Sequence, residues 1–431
     1  MDYPAAKKYL FSLKEKIGPI YGIDRMRLLA ARLEHPERAY PIIHVAGTNG
    51  KGSVCAMLEA MHRRAGRTVG MYTSPHLVFL GERVQVNRMP LTPDEICAYV
   101  EELRPHVEAQ GERNPDDHPT FFEFMTAVAF LHFARKKVDL ALIEVGLGGR
   151  LDATNVVQPQ LSVITSIGLD HTELLGETLL EIAAEKAGII KRGVPVVIGR
   201  LPEEAEDTIR TLAEGRNAPL HSVREAFGDD LEKYPRTRLA GSYQRVNAAT
   251  ATLAAQVLQN TLPVTAEAST AALAEVQWSA RWEKFPLSDG RTLILDASHN
   301  FEGAQTLDEN LGRLRAETGR APIILVGALG EYRARALLDV AVKHAREIIL
   351  LRPAQPRATS VEELRKWIPA SFRSPVRPGL VEKIFPAPGE CALGSPGDTL
   401  VVTGSIYLLG EILERFSHAT PAGEGVLQDR L

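Results

Sequence analysis

The sequence predicts an α/β chain in two units, a larger one whose mostly parallel sheet carries a glycine-rich phosphate loop and a smaller one of the same class toward the C-terminus. Three observations lead there. Short apolar runs alternate with stretches of helical spacing, which is the pattern of strands covered by helices. The run Gly47-Thr48-Asn49-Gly50-Lys51-Gly52-Ser53 interrupts that alternation directly after the first strand. And 431 residues exceed what one hydrophobic core ordinarily organises, so two units of unequal size are expected.

Taken in order, residues 3–16 and 24–34 place apolar side chains at helical spacing (Tyr9, Leu10, Leu13; Met26, Leu28, Leu29, Leu33) and predict two short helices. Residues 41–46 (PIIHVA) read as a buried strand, stopped by the glycines at 47, 50 and 52 and followed by a helix from Ser53 to about Arg64. Further strands are expected at 67–72, 138–145, 161–167 and 194–199, with helices at 93–108, 121–135, 177–188 and 203–214. A second series of strands begins near Thr292 with TLILDAS, APIILVGAL, EIILLRP and TLVVTGS. The boundary is expected within Arg281 to Asp289, dividing the chain into 1–284 and 285–417, with 418–431 as an aperiodic, flexible tail.

Composition narrows the function classes. A net charge of -4 with both signs interspersed gives no electrostatic case for nucleic acid or an anionic membrane as partner. No stretch of about 18 uninterrupted apolar residues offers a membrane span, and the lysine-interrupted N-terminus does not read as a signal peptide. Cys55, Cys97 and Cys391 lie too far apart for metal-ligand spacing and are odd in number, which fits a reducing compartment; the cytoplasm is the expectation.

The loop 47–53 stands where a phosphate site needs it. Its glycines let backbone N–H groups converge on phosphate oxygens, the following helix adds a favourable field, and Lys51 supplies a point charge. It departs from the standard P-loop in having Gly52, not Ser or Thr, after the lysine. Such a loop calls for magnesium and hard oxygen ligands from neighbouring strand ends. Glu144 closes the strand VDLALIE and His171 follows the strand SVITSI. Either alone reads as readily as a cap or surface group; the two together favour a metal site. Ser74 in Thr73-Ser74-Pro75-His76 is a candidate hydroxyl ligand, or simply part of a turn before proline.

Nine ordered segments, HVAGTNGKGS, TSPHL, TFFEFMTA, EVGLGGRLDATN, TSIGLDHTELLG, EKAGIIK, GSYQRVNAA, LDASHN and TGSIYLLGE, resemble the folylpolyglutamate synthase and dihydrofolate synthase family, a branch of the Mur-ligase-type amide ligases. The resemblance implies a P-loop Mur-ligase-type central domain followed by a smaller Rossmann-like α/β domain. It implies that Gly50 to Ser53 hold ATP phosphates, that Ser74, Glu144 and His171 hold Mg²⁺, and that Lys186 is carboxylated on its amine to become an anion beside the metal. Asn247 would contact adenine, Arg281 the phosphates, and Asp296 and His299 would close over the nucleotide, His299 assisting proton transfer. For the pterin ring it points to Thr120, Phe121, Phe122 and Glu123 and to Leu151, Asp152 and Ala153, although TFFEFMTAVAFLHFA also reads as an amphipathic core helix.

The implied reaction joins L-glutamate to a folate or dihydropteroate through an acyl phosphate. Apart from the resemblance, the pattern shows no large apolar surface segment, so a monomer is expected. Three segments depart from the family pattern: WSAR at 278–281, Phe301 where proline is usual, and Gly330-Glu331-Tyr332-Arg333 where an Asp-Lys-Asp run is usual. They leave the amine less defined than the nucleotide. Two other readings stay open: a Mur-type ligase for a different acid and amine, and a P-loop NTPase switch.

Overall fold

The computed structural model describes residues 1–15 and 22–417. The expected tail at 418–431 lies outside them. Two sheets carry the chain. The first contains eight strands: β1 Ile42–Ala46, β2 Val69–Tyr72, β3 Val84–Val86, β4 Met89–Pro90, β5 Leu140–Glu144, β6 Leu161–Ile164, β7 Val196–Ile198 and β8 Leu220–Ser222. Their spatial order is β4-β3-β2-β5-β1-β6-β7-β8, parallel from β2 to β8, with β3 and β4 added antiparallel at one edge. The second has six: β9 Glu283–Pro286, β10 Thr292–Asp296, β11 Ile323–Val326, β12 Glu347–Leu350, β13 Val376–Pro378 and β14 Thr399–Thr403, ordered β13-β12-β11-β14-β10-β9 and parallel except for β9.

Every residue of β1, β2, β5, β6 and β7 is buried. That follows from a parallel sheet covered on both faces, and it is why these strands read as continuous apolar runs. The helices Tyr3–Glu15, Asp24–Arg32, Pro93–Arg113 and Phe121–Lys136 cover one face with one hydrophobic cluster. On the other face Lys51–Arg64, Ser242–Val257 and Ala266–Glu275 pack into a second.

The strands absent from the sequence reading are all short edge or near-edge pieces. β3 and β4 form a hairpin of three and two residues, β8 and β13 have three each, and β9 is Glu-Lys-Phe-Pro. None is long enough to show a period of two. β9 pairs Glu283 with Leu295, so the second sheet already begins at Glu283.

Topology fixes where chemistry can sit. From β1 the chain crosses over β5 to reach β2, and from β5 it crosses back over β1 to reach β6. The carboxyl ends of β2, β5, β1 and β6 therefore stand side by side at a crossover reversal, the position at which open α/β sheets bind ligands.

Candidate active site

That row of strand ends carries the loop at 73–76, Glu144, the loop at 47–53 and the loop at 165–171, in this spatial order. They form one wall of a cavity of about 500 Å³, within the range of small-molecule sites. Arg281, His299, Arg333 and Arg357 form much of the other wall.

The phosphate loop is held open by its neighbours. Gly50 caps the helix Lys51–Arg64 with φ +84°, a conformation that favours glycine, and a Cβ there would overlap Asn247 Oδ1. Thr48 Oγ1 donates to Gly168 O at 3.1 Å, and Asn49 N donates to Ser166 Oγ at 2.8 Å. Lys51 Nζ folds back to donate to Gly47 O (3.0 Å) and Thr48 O (3.2 Å). A Cβ on Gly52 would press on the Trp278 indole, so the glycine after Lys51 leaves room for that ring. Ser53 is buried, its Oγ accepting from Gln244 Nε2, and Gln244 Oε1 in turn accepts from Asn247 Nδ2.

Glu144 is buried and accepts one hydrogen bond, from Ser74 N at 3.3 Å. Burial pushes its carboxyl up from 4.5 to about 7, against the opposing field of Lys51. Lys186 Nζ, also buried, donates to Gly47 O at 3.2 Å, and burial together with Lys51 lowers it from 10.5 to about 7. His171 has φ +51° and is lowered to about 4, first by burial and then by Arg333, so its imidazole is neutral and one ring nitrogen keeps a lone pair.

Among the described residues no group of three His, Cys, Asp or Glu side chains is arranged to hold a metal ion. The available set is one carboxylate, one neutral imidazole, a hydroxyl and an amine. Magnesium is commonly held by one or two carboxylates with substrate phosphates and waters completing the octahedron, so this set suits a cation that arrives with a nucleotide. Glu144, in no ion pair among the described residues and with only the more distant fields of Lys51, Arg281 and Arg83 to offset its burial, is a buried carboxylate of the kind such an ion would neutralise.

The second sheet contributes Asp296, buried at the end of β10 and accepting from Ser298 N (3.1 Å), and His299, partly exposed, whose Nδ1 lies 2.8 Å from Ala297 O. Arg281 donates to Ala280 O at 3.3 Å and lines the cavity. Asp296, Asn247 and Ser53 stand behind the lining and do not contribute to it.

Thr120, Phe121, Phe122, Glu123, Leu151, Asp152 and Ala153 do not line this cavity. Thr120 and Glu123 form the capping box of the helix Phe121–Lys136, and Glu123 also pairs with buried Arg25 at 3.0 Å. Phe121 is buried and stacks on Phe11 at 5.9 Å, while Phe122 packs on Gly146. Asp152 accepts from the N–H groups of Gly146 (3.0 Å), Leu147 (2.9 Å) and Thr154 (3.0 Å). It thereby shapes the 146–148 turn that does line the cavity. Leu151 is partly and Ala153 fully buried beside it.

Several neighbours went unnoticed in the sequence. Asp170 and Asn300 lie next to residues already singled out, and Arg333 was noted only as a departure. Arg83, almost fully buried, donates to His76 Nδ1 at 2.9 Å with its guanidinium over Phe121. Nothing in a local pattern marks the partners Arg333 and Asp170, 163 residues apart, and Arg83 stands in the short turn Leu80–Arg83 with no periodicity to show that it is buried.

Comparison with known proteins agrees with this geometry. The Mur ligase middle domain matches residues 45–266. A dihydrofolate synthase/folylpolyglutamate synthase of Bacillus subtilis is 38% identical over 422 residues, covering 93% of this chain and 96% of that protein. The crystal structure of a Mycobacterium tuberculosis folylpolyglutamate synthase with ADP and AMPPCP superposes with a TM-score of 0.82 at 27% identity, covering 97% of this chain and 100% of that one. Escherichia coli FolC in complex with DHPP and ADP gives 0.79 at 29% identity, covering 96% and 97%. With a phosphate loop, an adjoining second α/β unit and this likeness along nearly the whole chain, the protein belongs to the dihydrofolate synthase/folylpolyglutamate synthase family of ATP-dependent, glutamate-adding ligases.

Proposed function

We propose that this chain joins L-glutamate to a dihydropteroate or reduced folate at the expense of ATP, in a magnesium-dependent reaction through an acyl phosphate. The observation that carries the reading is the cavity itself, where Lys51, Ser74, Glu144, His171 and Lys186 face Arg281 and His299. The loop amides and Lys51 bind the phosphates and leave the γ-phosphorus open to in-line attack by the pterin's carboxylate. ADP leaves as the carboxylate–phosphorus bond forms. Glutamate's neutral amine then attacks the acyl carbon, phosphate departs, and the amine proton passes to a base for which His299 is placed at the cavity rim. Ser74, Glu144 and His171 are the residues to hold Mg²⁺, which when bound would neutralise phosphate charge. Lys186, buried with its amine near neutrality, is suited to react with carbon dioxide and become a carbamate.

The pterin would reach the cavity along the 146–148 turn backed by Phe122 and Asp152. Division into 1–284 and 285–417 with the reaction between the two units is part of the same reading, as are a cytoplasmic location and a monomer of 47.2 kDa. Three free cysteines suit a reducing compartment. Light scattering on the eluting protein tests the monomer.

The deciding experiment measures ADP release with Mg-ATP and L-glutamate, adding 7,8-dihydropteroate or tetrahydrofolate, with each component omitted in turn and products weighed by mass spectrometry. A product heavier by one glutamyl unit, with ADP release that requires both partners, is expected. ADP release without either partner would favour a nucleotide switch. Turnover with neither pterin would point to a different acid and amine.

A further inference from the structure

Side chains of Arg333, Asn300 and Glu302, from the second unit, converge on the loop after β6 and on the phosphate loop. Arg333 Nη2 donates to Asp170 Oδ1 at 2.6 Å and lies 3.4 Å from His171 Nε2. Asn300 Nδ2 donates to Asp170 Oδ2 at 3.3 Å and to Asn49 Oδ1 at 3.1 Å. Glu302 Oε1 accepts from Leu169 N at 3.1 Å. Asp170 is the hub of this set. It also accepts from His171 N at 3.0 Å, so one carboxylate fixes the left-handed backbone turn at His171 and ties it to the other unit. His299 Nε2 lies 4.0 Å from its Oδ2, and Arg333 is its close charged partner.

Arg333 stands in the first turn of the helix Glu331–His344 after β11 and lines the cavity with about a quarter of its side chain exposed. One amino group of its guanidinium reaches two acceptors. By donating to His171 Nε2 it selects the tautomer that keeps its proton on Nδ1 and its lone pair on Nε2. Were a cation to be held by His171, the 2.6 Å bond from Arg333 to Asp170 would keep the guanidinium in place.

We propose that Arg333 is a positioning residue: through Asp170 it couples docking of the second unit to the orientation of His171, so that the imidazole is set for the nucleotide only when the two units are together. The inference rests on the reading of the cavity as the ATP site. It gives Arg333, in a segment that departs from the family pattern, a specific task in this chain.

Arg333→Ala, Arg333→Lys and Asp170→Asn, with the Arg333→Ala/Asp170→Asn double variant, test it in the full-length protein. Arg333→Ala is expected to lower kcat for glutamate-dependent ADP release about 10- to 100-fold, as loss of a residue that orients a site ligand does, while KM for ATP shifts less than about threefold because Lys51 and the loop amides are untouched. The double variant falls no further than the worse single variant, and Arg333→Lys restores most of the rate. In the ligand-free protein, hydrogen exchange of the backbone amides at 169–171 rises in Arg333→Ala and stays at the native level in the second sheet. Should Arg333→Ala melt early, Arg333→Gln, which keeps length and polarity but not charge, takes its place. Unchanged kcat and unchanged exchange at 169–171, or losses in the two single variants that simply multiply, would overturn the inference. If the unmodified protein fails to bind ADP in calorimetry, it is the ATP-site reading that fails.

Discussion

Glu144 ends β5 with its carboxylate out of water and one N–H donor, Ser74, to compensate it. The sequence showed this residue at a strand end beside the loop but not its isolation, which depends on what β2 and the loop at 73–76 bring against it. Its raised pKa, about 7 against 4.5, fixes the sign of the consequence. The fold favours the protonated form, so the stability it contributes is present below 4.5 and is lost as pH rises through 7. At pH 8 the ionised side chain costs the ligand-free protein about 3 kcal/mol. Glu144→Gln removes the ionisation and leaves an acceptor for Ser74 N. Urea unfolding should therefore find the variant's stability relative to the unmodified protein higher at pH 8 than at pH 5, by about 2 to 3 kcal/mol. Glutamate-dependent ADP release should fall at least about tenfold in the same variant. Equal differences at the two pH values would mean that Glu144 is already compensated by something other than an arriving cation.

The helix Phe121–Lys136 shows what an element's pattern reveals and what it conceals. Its apolar spacing announced a core helix, and Phe124, Phe130 and Phe133 are fully buried in it. The Thr120/Glu123 pair is a capping-box pattern legible in any sequence. What no local pattern gives is Arg25, 98 residues earlier, whose Nε lies 3.0 and 3.1 Å from the two Glu123 oxygens. The Thr120 backbone and hydroxyl also donate to Glu123 Oε2. With both oxygens engaged, the carboxylate joins two helices and little is left for a ligand. Glu123→Ala should therefore destabilise the protein by about 3 kcal/mol, because the buried Arg25 loses its carboxylate. An Arg25→Met/Glu123→Leu pair should recover much of that loss. The folded fraction should keep its KM for the pterin within about threefold, the size of an indirect effect. A KM rise far beyond that, at unchanged stability, would place Glu123 in the substrate's path instead.

At the scale of the whole molecule, the sequence carried the two series of strands that form the two sheets, because a buried parallel sheet writes itself as apolar runs between helices. It did not carry how the units meet: Asn300 reaches Asn49 across 251 residues and Arg333 reaches Asp170 across 163, separations with no periodic trace. The same limit hid the polar spine of the first sheet. His44, in the middle of β1 with no exposed surface, lies with Nε2 at 2.8 Å from Thr154 Oγ1, and Thr154 also donates to Asp152. This links the central strand to the turn behind the cavity. Burial first, and Lys191 next, lower His44 from 6.5 to about 3. A depressed imidazole pKa means that the fold holds the neutral form, so its contribution is complete above pH 6.5 and is lost as pH falls toward 3. Each such proton gives a slope of about 1.4 kcal/mol per pH unit in that window. His62 and His132, both lowered to about 4 chiefly by burial, act in the same direction. Global stability from urea unfolding should therefore drop steeply between pH 6 and 4.5. His44→Gln, which retains a polar partner for Thr154, should start less stable at pH 7.5 yet lose about 1.4 kcal/mol less per pH unit on the acid side. An acid limb of the same slope in both proteins would mean that β1 opens, or that His44 is charged, before the rest of the sheet yields.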